Sequence, residues 1–240
     1  MKRDGRFDLL ILLAVLLGGP HSAYAQPGSR NVDLYLTLAT DSLQRGQSQT
    51  DGAGSAQFGI DYQHVSGFFV GGSIASVEYA VEIMRPQPRQ IELDVYLGFG
   101  RRGESWSWAL TAARYKSPDT SVNYDYSEIG GTISYRNRLF YSLSYTNDFL
   151  SQRLSAANHE LSGAIPLVWN MELGMMLGRF NSDDVIGDGY THWNVGLSKP
   201  MRRFALDLRF YDTRYSRVSH LGQPADKQWV FSLSYVIGAE

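Results

Sequence analysis

The chain has no cysteine, so no disulfide can brace it and no thiolate metal site can form. Beyond residue 25 no run of eighteen apolar residues occurs, which excludes a helical membrane protein. A surplus of one charge is also missing. Lys and Arg number 22 against 24 Asp and Glu, for a net charge of −2, and this balance excludes nucleic acid, whose phosphates call for a basic face. No HExxH or GxSxG motif is present, and nothing asks for a metal or a cofactor. What the chain does hold is aromatic and small: 15 Tyr, 11 Phe, 5 Trp and 24 Gly.

The first residues read as an export signal. Lys2, Arg3 and Arg6 make a basic start, Leu9 to Leu17 is unbroken apolar sequence, and Ala23-Tyr24-Ala25 ends in the small-x-small pattern cleaved by signal peptidase. Cleavage is expected after Ala25. The apolar run is about half the roughly 20 residues that a membrane anchor needs. Residues 26–240 then form one domain, with no segment that looks like a linker.

Period-two alternation dominates that domain. Ile91, Leu93, Val95, Leu97 and Phe99 fall on one face of an extended segment, and Glu92, Asp94, Tyr96 and Gly98 on the other. The same sorting separates Val32/Leu34/Leu36/Leu38 from Asp33/Tyr35/Thr37, Phe58/Ile60/Tyr62 from Gly59/Asp61, and Phe204/Leu206/Leu208/Phe210 from Asp207/Arg209. It also marks 139–146, 192–198 and 228–237, while 68–77, 105–115, 126–135, 158–165 and 170–180 are less regular. Twelve strands result. An up-and-down barrel with both termini at one end requires an even number.

Connection lengths test this independently. Segments 43–54, 78–89, 116–123, 149–157, 181–189 and 214–226 are long, whereas 65–67, 101–104, 136–138, 166–169 and 200–202 are short, and the two kinds alternate throughout. Outer-membrane barrels have short periplasmic turns and long extracellular loops. A soluble sandwich or lipocalin-like barrel is the competing reading. Its apolar faces would point inward, yet here those faces carry Trp106, Trp108, Trp193, Trp229, Tyr135, Tyr141, Tyr145 and Tyr235, rings suited to a lipid interface. The expected fold is therefore an all-β, transmembrane, antiparallel up-and-down barrel of twelve strands.

That parity turns Asp33, Asp61, Glu92, Asp94, Tyr96, Glu128, Glu160, Glu172, His192, Asp207 and Arg209 toward the lumen. An acidic bore lowers the energy of cations and raises that of anions. Alternatively, these acids pair with loop arginines or keep the interior wet. Arg45, Gly46, Gln47, Ser48, Gln49, Thr50, Asp51 and Gly52 form the densest polar stretch, either tucked into the mouth or solvated like an ordinary loop. His192 alone of the histidines faces the lumen mid-chain, as a polar filler rather than a catalyst, and His64 and His159 lie at strand ends. No enzymatic activity is expected.

Several motifs resemble one known family. Arg45-Gly-x-Ser-Gln-Thr-Asp-Gly52, Ser66-Gly-Phe-Phe-x-Gly71, Glu92-Leu-Asp-x-Tyr-x-Gly98 and Tyr190-Thr-x-Trp-x-Val-Gly-Leu-Ser-Lys199 match, in order, the TorF-type porins, formerly the uncharacterised proteobacterial family Gcw_chp. Tyr126-x-Glu128, Asp148-Phe149 and Asp212-Thr213 are lesser matches. The resemblance implies an outer-membrane porin of a Gram-negative bacterium, with no named substrate. Its partners would be outer-membrane lipid, the barrel-assembly machinery during biogenesis, and small polar solutes. A non-conducting adhesive or structural barrel is the second reading, and a barrel hydrolase the third.

Overall fold

The computed structural model describes residues 31–78, 90–118, 123–182, 189–215 and 227–238, so the expected export signal lies outside it. Fourteen strands are present among these residues: β1 (Asn31–Ala39), β2 (Leu43–Gln44), β3 (Gln47–Ser48), β4 (Ser55–Gln63), β5 (Phe68–Val77), β6 (Gln90–Arg102) and β7 (Trp106–Lys116). They continue as β8 (Tyr126–Tyr135), β9 (Leu139–Thr146), β10 (Ala156–Pro166), β11 (Glu172–Ser182), β12 (Tyr190–Met201), β13 (Phe204–Tyr215) and β14 (Gln228–Gly238).

Strand β1 and strands β4 to β14 form a closed barrel of twelve antiparallel strands, each paired with its chain neighbours. Closure occurs where β1 pairs with β14, for example Leu36 with Tyr235, so the barrel has no free edge. The remaining two strands make a small hairpin inside the first long connection.

The alternating pattern decides which side of the wall each residue meets. Outward residues are large, apolar and uncovered, among them Val95, Leu97, Leu110 and Ile129, which are 53–64% exposed. A soluble protein rarely exposes apolar patches beyond a few hundred Å². A band running around the whole wall requires lipid, and the protein is a transmembrane barrel. Rings pair within this outer surface: Trp106 lies 4.9 Å from Tyr135, Phe204 4.8 Å from Tyr235, and Phe210 5.2 Å from Trp229, centroid to centroid. Such pairs fit an interface where one ring edge is apolar and the other wet.

Inside, the expected polar and glycine-rich wall also carries large rings. Tyr35, Phe69, Tyr96, Tyr115, Tyr126, Phe140, Phe180 and Tyr190 are all buried. Glycine on the adjoining strand makes room for some of them: Gly71 pairs with Tyr96 and lies against its phenol, where any Cβ would collide. The alternation pairs a bare backbone with a ring, which hydropathy alone does not distinguish from a wet wall.

Candidate functional site: the barrel interior and its hairpin

All eight expected carboxylates, Asp33, Asp61, Glu92, Asp94, Glu128, Glu160, Glu172 and Asp207, lie on the interior face of their strands. Strand pairing makes this consistent: Asp33 is paired with Asp61, Asp61 with Gly71, and Gly71 with Tyr96, a continuous inner row. Arg209 faces inward as expected, and Arg102, at the end of β6 and paired with buried Ser107, joins it.

On the β4–β6 side Asp61 and Asp94 are held by hydroxyls. The Tyr96 phenol donates to Asp61 Oδ1, and Ser73 Oγ donates to Asp94 Oδ2 at 3.1 Å. On the far side Asp207 and Glu128 meet guanidinium, while Glu160 accepts from the Asn158 side-chain amide at 3.0 Å. Arg209 donates to Asp207 through Nη2 at 2.9 Å and Nε at 3.2 Å, and through Nη1 to Asn194 Oδ1 at 2.8 Å; Ser198 donates to Asp207 at 2.6 Å. The other guanidinium comes from outside the wall.

It is Arg45, at the tip of the β2–β3 hairpin. Residues 43–48 fold into the bore rather than over it, so the inward alternative for this loop is realised. The turn has two residues, Arg45 and Gly46, with φ of +52° and +74°, the left-handed pair that a tight hairpin turn of the primed type needs. Gly46 is required for a second reason: a Cβ there would collide with His192 and Thr213, against which the turn is pressed. Thr213 Oγ1 donates to the Gly46 carbonyl at 2.6 Å.

Arg45 Nη2 lies 2.5 Å from Glu128 Oε2, with both side chains almost fully buried, and 3.5 Å from Ser144 Oγ. Its Cζ sits 6.0 Å from the Phe180 ring centroid. Burial pushes the Arg45 guanidinium down, but Glu128, Tyr126 and Tyr115 outweigh it and hold the group well above its ordinary value. It remains a cation. The hairpin stem is anchored separately: Leu43 packs on Val230, and Asp41 Oδ1 accepts from Ser48 Oγ at 2.7 Å and Thr50 Oγ1 at 2.6 Å. Gln49 contributes its carbonyl, which accepts from the Glu78 amide at 2.6 Å, while Asp51 is exposed.

Around the hairpin tip runs an arc of rings not foreseen from the sequence. Tyr115 stacks on Tyr126 at 4.5 Å, Tyr126 meets Phe149 at 5.3 Å, Phe149 meets Phe180 at 5.3 Å, and Phe180 stacks on Tyr190 at 5.1 Å. Four come from strand ends beside long connections, and Phe149 from the short 3₁₀ turn Phe149–Ser151 between β9 and β10. Tyr126-x-Glu128 already placed a ring and an acid on one face. Nothing in it revealed that Phe149 would bend inward to join them.

The histidines take separate places. His192 is buried and donates from Nε2 to Asn158 Oδ1 at 3.2 Å. His159 faces outward and contacts the Tyr141 hydroxyl at 2.8 Å. His64 contacts Ser66 Oγ at 2.8 Å, but within a tight exposed turn, where Nδ1 also accepts from the Ser66 amide. That arrangement caps a turn; it does not place a nucleophile in a pocket.

Comparisons with known proteins agree with the architecture. No curated protein matches the chain. Among solved structures, a KdgM porin in complex with disordered oligogalacturonate is 11% identical over 85% of this chain and 98% of its own, with a TM-score of 0.52. A second structure of KdgM porin covers the same shares at 10% identity and the same score. LpxR from Salmonella typhimurium is 8% identical over 85% of this chain and 99% of its own, at 0.48. The two KdgM likenesses are of fold. A family model described as a bacterial protein of unknown function, Gcw_chp, matches residues 24–236, and the chain therefore belongs to that family.

Proposed function

We propose that this barrel lies in the outer membrane of a Gram-negative bacterium, with its signal removed after Ala25, and passes small polar solutes passively, cations in preference to anions. The observation that carries the reading is the charge of the inner wall. Eight carboxylates face inward against Arg45, Arg102 and Arg209 among the described residues. Burying a carboxylate is costly unless it is hydrogen-bonded and hydrated, so a barrel that served only as a membrane anchor would do better with an apolar filling. An acidic wall in a narrow low-dielectric bore attracts cations. The oligogalacturonate in one similar structure is a polyanion, and the interior of this barrel opposes such a solute.

The long connections would face outward from the cell and the short turns the periplasm, as in other outer-membrane barrels. Lipid contact, assembly by the barrel-assembly machinery and the passage of small solutes all belong to this reading. Planar-bilayer recording tests it: discrete conductance steps with a reversal potential favouring K⁺ over Cl⁻ are expected. A second reading, a non-conducting structural or adhesive barrel, is favoured by the hairpin and the buried rings that fill the interior. A folded barrel that never opens steps would decide for it.

A further inference from the structure

The geometry points to a binding site for a guanidinium or small primary-amine solute inside the barrel, which the protein itself occupies with Arg45. The inference deepens the cation-passing reading by naming a solute class, but binding itself does not depend on conduction.

The site is built from four strands. Glu128 on β8 supplies the carboxylate, Ser144 on β9 an acceptor hydroxyl, Glu160 on β10 a second acid within electrostatic reach, and Phe180 on β11 an aromatic face. Tyr126 stands beside them and continues the ring arc. Carboxylate, hydroxyl acceptor and ring faces around one volume are what recognise a planar organic cation. The volume is filled by a guanidinium already, so its size and charge are demonstrated by its occupant.

One feature indicates that the occupant is exchangeable. A permanent plug is better made of apolar side chains than of a buried ion pair, and the same hairpin has such an anchor in Leu43. An ion pair, unlike an apolar contact, can be replaced by a competing cation without leaving Glu128 alone.

The test uses methylguanidinium, with methylurea as its uncharged counterpart. Arg45→Gly keeps the turn and empties the site; the purified, heat-modifiable variant should bind methylguanidinium in a calorimetric titration, and binding should weaken about tenfold or more in Arg45→Gly/Glu128→Gln. Wild type should bind far more weakly, since its own arginine competes. Equal binding in the single and double variants, or none in either, overturns the proposal. Should Arg45→Gly fail to assemble, the wild-type barrel in a bilayer gives the same answer: methylguanidinium should raise the open fraction at a concentration where methylurea does nothing, and identical effects overturn it. Binding without conductance in any variant would retain the site and remove the channel reading; conductance without binding would do the reverse.

Discussion

On the β8–β13 side of the interior the carboxylates Glu128 and Asp207 are held by arginines, whereas on the β4–β6 side Asp61 and Asp94 are held by the hydroxyls of Tyr96 and Ser73. A guanidinium cancels the charge it binds: Arg209 does so within β13, and Arg45 also ties the hairpin to the wall. A hydroxyl orients a carboxylate but brings no opposite charge to it. In the proposed cation-passing reading, the first side serves as a latch and the second is the side that a passing ion would feel.

The largest effect that can test this division comes from the face that neither side uses. Leu93 points to lipid between Glu92 and Asp94, so Leu93→Arg should impair insertion by about 2–4 kcal/mol, seen as loss of the fast-migrating folded band on an unheated gel. Normal folding of this variant would mean that β6 is turned the other way, with Glu92 and Asp94 facing lipid.

Glu128→Gln should act next most strongly, by removing the charge that holds Arg45 and loosening the hairpin by about 1–3 kcal/mol. The mean conductance should rise while the folded band persists. An unchanged current would show that Leu43 and the Asp41 network hold the hairpin by themselves.

On the hydroxyl side, Glu92→Gln with Asp94→Asn should lower the preference for K⁺ over Cl⁻ by about twofold, and most at low salt where screening is weakest. Reversal potentials read it directly. Unchanged selectivity would move the field elsewhere in the bore. The smallest expected effect is that of Tyr96→Phe, which removes the phenol from Asp61 but leaves the carboxylate: about 1 kcal/mol of stability in denaturant titration, with selectivity intact. A loss of selectivity there would mean that the hydroxyl, and not the charge, faces the ion.

Much of this architecture is legible in the chain. The 91–99 alternation predicts both the face and the strand, and β6 extends that segment to Gln90–Arg102. The segment 126–135 coincides with β8, and the less regular 170–180 appears as β11, Glu172–Ser182. These succeed because a closed wall between lipid and interior forces a period of two on every strand, and each strand records it separately. The interior rings are harder to read. Phe180 and Tyr190 point inward with Glu172 and His192, yet their hydropathy resembles that of the lipid face; only the glycines opposite such rings hint that the bore must fit them.

By itself, then, the sequence determined the wall: the number of strands, their parity, the alternation of long and short connections, and which acids face inward. Each of these follows from residues within one strand and its turn. Tertiary structure alone decided how Glu128 is held and where the first long connection lies, because those partners come from distant positions: Arg45 reaches Glu128 across 83 residues, and Thr213 bonds Gly46 across 167. Periodicity carries no information about which loop enters a bore. That depends on whether its tip finds a carboxylate, a ring face and room beside His192, and only the closed barrel brings those together.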